Sequence, residues 1–198
     1  MTLLDTRAGI AAAFRELSRR TGVTIDTDIV VRRLGPPLRT ELAAWFPADA
    51  VEDAVTLYRA LYEIHAIAPA VVLPGAVASI DAVHQAGGRV VVITSKLGRL
   101  AELHLRHLGL DIDEVHGDVF AEQKGAVLKA LDAFAMVGDH VADMTAGVVA
   151  GVHRVGVTTG PCSATDLDAA GAEWVLASLE DFPAWWRDRD LSWPSGER

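Results

Sequence analysis

Basic charge is scarce in this chain. Eighteen Lys and Arg stand against 27 Asp and Glu, a net charge of −9 over 198 residues. That balance argues against nucleic acid and against an anionic membrane surface as partners. Cysteine is scarcer still. Cys162 stands alone, which excludes an internal disulfide and fits a reducing, cytoplasmic setting. Its turn, Gly160-Pro161-Cys162-Ser163, has no His close in sequence to support a catalytic thiol. Long apolar runs are also missing. The most apolar window, Ala66 to Ile80, is broken by Pro69, Pro74 and Gly75 and is too short to span a bilayer. The N-terminus does not read as a signal peptide, because Asp5 falls where the apolar region should begin. No internal repeat or low-complexity tract is visible.

What is present is a globular composition, 51% hydrophobic, long enough for one domain with a small insertion. The first third reads as helix. Ile10, Phe14 and Leu17 recur at helical spacing up to a stop at Gly22. Val30–Leu34 ends at the break Gly35-Pro36-Pro37. A short helix from Leu38 to Trp45 precedes Pro47. Asp49 is the expected N-cap of a longer helix, Ala50 to about Ala66, with Ala54, Tyr58, Leu61, Tyr62 and His65 on one face. No strand stands out between residues 7 and 68.

Beyond Leu73-Pro74-Gly75 the pattern changes to alternating helices and strands. Arg89–Ile93 is a β-branched run expected to be a strand buried on both faces. Helix Gly98–Leu108, strand Glu114–His116, a helix starting near Lys124 and a strand from Phe134 to Val137 follow. Next come helix Val141–Ala150, strand Arg154–Val157, helix Ala164–Ala170, strand Trp174–Leu176 and helix Glu180–Arg187. Such alternation predicts an α/β fold, a Rossmann-like parallel sheet covered by helices.

The chemistry gathers around Gly138-Asp139-His140-Val141-Ala142-Asp143. Asp139 and Asp143, four apart at a helix start, share one face at the carboxyl end of a strand. Such a pair suits Mg²⁺, a hard cation that takes one or two carboxylates and keeps several waters. Alone this is a weak motif, since Asp139 reads equally as a loop residue and Asp143 as a charge favoured by the helix dipole. Two further features fall at equivalent places. Thr94 ends the apolar strand before Ser95 and Lys96, and Lys124 starts a helix between the two strands. A hydroxyl, an ammonium and two carboxylates together describe a phosphate-plus-Mg²⁺ site. Thr94 and Ser95 would hold phosphate oxygens with their backbone N–H groups. Lys124 would offset charge on a transferring phosphoryl group. Lys96 ranks below Lys124 as the functional lysine.

In that order, these motifs resemble the haloacid dehalogenase-like (HAD) hydrolase superfamily, most closely its phosphoglycolate-phosphatase-like branch. Val91–Lys96 resembles the second family motif, Lys124 the third, and Val137-Gly138-Asp139 through Asp143 the fourth. The resemblance implies a core of residues 1–6 and 70–198 with an inserted helical cap over residues 7–69. It implies a Mg²⁺-dependent phosphatase acting on a small phosphorylated metabolite. Thr94 and Lys124 would be catalytic, Thr94, Ser95 and Lys124 phosphate-binding, and Asp139 and Asp143 metal-binding. Two departures are local: Gly125 stands where proline is common, and His140 where a small hydroxyl residue is common.

The first family motif, a strand ending in Asp-x-Asp, is matched only by its tail, Thr2-Leu3-Leu4-Asp5. The nucleophilic aspartate, the general acid/base and the first strand are therefore expected upstream of Met1, with Met1 an internal residue of the motif. In the family that strand is central, in the order 3-2-1-4-5. Its roughly ten ladder bonds, at about 0.5–1.5 kcal/mol each, rival the stability of a whole domain. The chain as given is expected to be inactive. The alternatives are a non-catalytic phosphate- or partner-binding relative, or a 2-haloacid dehalogenase, which would need no metal. Substrate choice is expected among Arg32, Arg33 and Arg39. His104 and His107 lack a third ligand at metal spacing. The five tryptophans show no base-stacking pattern, and Thr158-Thr159-Gly160 would border the substrate.

Overall fold

Glycine stops and side-chain caps divide the first third of the chain into four helices. A computed structural model describes residues 1–188; Trp193, one of the five tryptophans, lies outside them. Helix α1 (Arg7–Thr21) ends on Gly22 in the left-handed region. Helix α2 (Thr27–Arg32) starts where the Asp26 carboxylate accepts from the N–H groups of Asp28 and Ile29. Helices α3 (Leu38–Leu42) and α4 (Val51–His65) follow. Asp49 does not cap α4: Ala50 holds that position without a side-chain bond, because Pro47–Ala50 is already closed as a turn. These helices share one apolar core built on Phe14, Leu17, Val30, Leu42, Tyr58 and Leu61.

A two-residue antiparallel ribbon closes this unit, β1 (Leu4–Asp5) on β2 (Val71–Val72). Neither strand was expected from the sequence, for two residues carry no readable period. Helix α5 (Ala76–Gln85) leads to β3 (Val91–Ile93), α6 (Gly98–His107) and β4 (Glu114–His116). β3 pairs parallel with β4, Val92 opposite Val115. It starts later than expected, because the Val90 N–H is taken by the Asp113 carboxylate at 2.7 Å. Helix α7 (Glu122–Ala130), β5 (Ala135–Gly138), α8 (Val141–Ala150) and β6 (His153–Val157) come next. Helix α9 (Ala164–Ala169), β7 (Trp174–Leu176) and α10 (Phe182–Asp188) complete the described chain. β5, β6 and β7 form a parallel trio, with Val137 opposite Val155 and Val157 opposite Leu176. Ser163 and Asp166 form a capping box at α9.

The β3–β4 pair and the β5–β6–β7 trio share no ladder among the described residues. Between them lies a cavity of about 630 Å³, lined by Val91, Val92 and Ile93 on one side and Ala135, Met136 and Val137 on the other. This corrects the expectation of a fully buried first strand: β3 is only half-buried because its free edge faces this cavity. Val155 and Val157, on a strand flanked by two partners, are fully buried. The order across this region is β4-β3, cavity, β5-β6-β7.

Packing in the helical unit gives a direct test. Leu17 is fully buried and Ile64 is 69% exposed. Leu17→Ala is expected to lower unfolding free energy by about 2–5 kcal/mol, and Ile64→Ala by less than about 0.5 kcal/mol, both read from urea denaturation.

Candidate active site

Two strand ends and two helix starts deliver the polar groups to one cavity. Thr94 follows β3, and Asp139 follows β5. Asp143 lies in the first turn of α8, and Lys124 in the first turn of α7. Thr94, Lys124, Asp139 and Asp143 all line the cavity between β3 and β5. The convergence expected from their order in the sequence is therefore present in space.

Lys124 and Asp143 are both buried, and Nζ donates to Oδ1 at 2.6 Å. Their contact ties α7 to α8 across the site. The Asp139 carboxylate accepts from the Thr2 hydroxyl at 2.8 Å and pairs with the α-amino group of Met1. Gly138 and Gly160 make room for the two carboxylates: a Cβ on Gly138 would strike Asp143, and one on Gly160 would strike Asp139. Hard oxygen donors in a glycine-lined cradle fit a divalent ion that keeps most of its waters. No group of three or more His, Cys, Asp or Glu is assembled among the described residues.

Other expected residues take different places. The Ser95 hydroxyl donates to the Gly35 carbonyl at 3.2 Å, and Ser95 does not line the cavity. Only its backbone is left for an anion, because its side chain is spent on the Gly35-Pro36-Pro37 loop. The Thr94 hydroxyl accepts from the Lys96 N–H at 3.2 Å. His140 stands where a small hydroxyl residue is common, and its Nδ1 accepts from the Ala142 N–H and caps α8. Burial lowers the pKa of that imidazole, in keeping with an acceptor nitrogen. Arg33 is paired with Glu41 at 2.6 Å and Arg39 with Glu52, and Arg32 is exposed. The Thr159 hydroxyl donates to the Met1 carbonyl at 2.7 Å. Asp5 is held by Arg7 and stands outside the cavity lining.

Sequence reasoning missed a cluster of three groups behind the rim. Tyr62 from α4 shares a hydrogen bond with His104 Nε2 from α6 at 2.9 Å and accepts one from Lys96 Nζ. His104 is almost fully buried, and its Nδ1 has no protein partner. Burial pushes its imidazole down to about 3, with Lys96 adding to the effect. The available signals were weak: one His on the apolar face of a helix, and one Lys two residues past a strand.

A profile of the haloacid dehalogenase-like hydrolases matches residues 1–159. The chain belongs to that family. It is 29% identical to the protein named probable phosphatase IndB of Dickeya dadantii, over 91% of this chain and 87% of that one. It is 28% identical to the tyrosine-protein kinase PtkA of Mycobacterium tuberculosis over 80% of this chain, and spans only 60% of that relative. A haloacid dehalogenase-like hydrolase from Bacteroides fragilis superposes with a TM-score of 0.79 at 25% identity, covering 91% of this chain and 94% of the other. The PtkA structure superposes at 0.74 with 26% identity, covering 93% of each chain.

Two predictions follow from these contacts. Lys124→Met leaves the Asp143 carboxylate buried without its cation and is expected to cost about 3–5 kcal/mol. Adding Asp143→Asn should recover more than half of that loss in urea denaturation. His104 is neutral in the fold, while the unfolded chain protonates it near 6.5. Stability should therefore be intact above pH 6.5 and fall as pH drops toward about 3, where the folded form titrates. His104→Leu should flatten that acid limb in melting curves.

Proposed function

We propose that this chain is the metal-, phosphate- and cap-bearing part of a Mg²⁺-dependent phosphatase for small phosphomonoesters. Within the described residues, 1–6 and 70–188 would form its core, and residues 7–69 its helical cap. The observation that carries the reading is the meeting of Thr94, Lys124, Asp139 and Asp143 at one cavity rim. The relatives named as a phosphatase and a kinase, IndB and PtkA, both concern phosphoryl groups. A carboxylate pair at the rim favours this reading over 2-haloacid dehalogenation, which has no use for a metal.

Each residue has a physical task. Asp139 and Asp143 would hold Mg²⁺, which supplies positive charge to the phosphoryl oxygens. The Thr94 hydroxyl and the N–H groups after it would orient the phosphate. The Lys124 ammonium offsets charge that builds on the transferring group. None of these is a nucleophile. The attacking carboxylate would belong to a strand seated between β3 and β5, where both neighbours present unpaired edges. Without that strand the remaining groups position and stabilise but do not turn over.

The test is hydrolysis of p-nitrophenyl phosphate with Mg²⁺. The 198-residue chain should be inactive. The same chain preceded by a five-residue apolar strand ending in Asp-x-Asp should turn over, and Lys124→Met should cut that rate by about 10²-fold or more. Turnover by the 198-residue chain would overturn the assigned lack of a nucleophile. No turnover from a folded, extended chain would overturn the phosphatase reading in favour of a binding protein.

A further inference from the structure

Two side chains of the α/β part hold one loop of the helical unit, and neither lines the cavity between β3 and β5. The Ser95 hydroxyl donates to the Gly35 carbonyl at 3.2 Å. The His140 ring packs directly on the Gly35 backbone, where a Cβ would stand 2.8 Å from both Cδ2 and Nε2. The Gly35 φ of +144° also favours glycine. One residue of the loop thus meets both side chains, the first by a hydrogen bond and the second by shape.

The origin of these side chains gives the contact its meaning. Ser95 directly follows Thr94 beyond β3, and His140 directly follows Asp139 beyond β5. His140 is held from its other side, since Nδ1 accepts from the Ala142 N–H at 3.1 Å. The loop itself is stiff. Pro36 and Pro37 fix two φ angles, and the Pro37 carbonyl accepts from the N–H groups of Thr40 and Glu41 at 3.0 and 3.2 Å. The Glu41 carboxylate then gathers Arg33 and the Trp45 indole N–H at 2.6 and 2.9 Å.

We propose that Ser95 and His140 are positioning residues that seat the Gly35-Pro36-Pro37 loop on the two strand ends, so that a metal held by Asp139 orders the loop and the seated loop strengthens metal binding. The inference rests on the Mg²⁺ reading above and adds a second element to that site. A strand end already fixed by the metal loses less freedom when the loop seats on it. By linkage the effect is reciprocal.

Amide hydrogen exchange of the full chain, read by mass spectrometry on the peptide spanning residues 33–42, tests this, with α4 as the internal control. Ser95→Ala and His140→Ser should each speed exchange in that peptide by about two- to tenfold, the scale of one ordinary hydrogen bond, and leave α4 unchanged. Two variants at 140 separate the ring from the cap of α8. Serine still caps a helix but lacks the ring, whereas His140→Phe keeps a ring and loses the cap. The seat should be lost in the Ser variant and kept in the Phe variant; a role confined to capping α8 gives the reverse order. Saturating Mg²⁺ should slow exchange of the wild-type peptide by about fivefold or more, and this slowing should vanish in His140→Ser. Calorimetry should show Mg²⁺ bound more weakly by the same factor in that variant.

Loop exchange that is unmoved by His140→Ser, or faster in the Phe than in the Ser variant, overturns the inference. So does Mg²⁺ that binds through Asp139 yet slows the loop in neither protein or equally in both; the metal reading then stands. If calorimetry finds no Mg²⁺ binding, or binding that survives Asp139→Asn, the metal reading falls and this inference falls with it.

Discussion

Two strand edges face each other across the middle of the sheet without a hydrogen bond between them. β3 and β5 each satisfy one side of their backbone, through β4 and β6, and leave the other to the cavity. Unpaired backbone groups are costly where water is excluded, so this cleft must admit water or a strand. The rest of the molecule is arranged on that constraint. The residues of β3 stay half-buried, while Val155 and Val157, one strand further in, are fully buried. Thr94, Lys124, Asp139 and Asp143 all line the cleft.

Across that rim the Lys124–Asp143 pair sets the geometry. A buried ion pair is weak evidence for stability, since desolvation offsets much of the attraction. Its value here is positional. It fixes the first turn of α7 against the first turn of α8, and thereby holds Asp143 in register with Asp139. The glycines at 138 and 160 keep both carboxylates close to the backbone, where any side chain would displace them. Removing either charge leaves the other stranded, whereas removing both leaves a packing problem only.

Much of this was legible in the sequence where local punctuation is strong. Strand Glu114–His116, helix Val141–Ala150 and strand Trp174–Leu176 have the bounds that their flanking turns imply. The meeting of Thr94, Lys124, Asp139 and Asp143 at one cavity was legible because each is tied to a strand end or a helix start, and the sheet's topology converges such points. What failed was non-local or too short to have a period. The β1–β2 ribbon has two residues a side, and Val71 is 56% exposed. Asp49 looked like a cap, but the turn before α4 had already used its place. The Ser95 hydroxyl is claimed by a loop sixty residues earlier, a contact that no local pattern announces. The Tyr62–Lys96–His104 cluster joins three elements with no shared motif. His140 departs from the family pattern in identity, and its ring nitrogen caps α8.

Net charge and local charge point in opposite directions in this protein. A chain at −9 repels small anions as a whole. That repulsion is screened over about 8 Å in physiological salt, whereas a cation within the low-dielectric cavity acts at contact distance with little screening. The acidic surface therefore does not oppose an anionic substrate once it has entered. The outer arginines are already neutralised by neighbouring glutamates, so recognition passes to the few cations of the interior. Of those, Lys124 is paired with Asp143, and Lys96 donates to the Tyr62 hydroxyl.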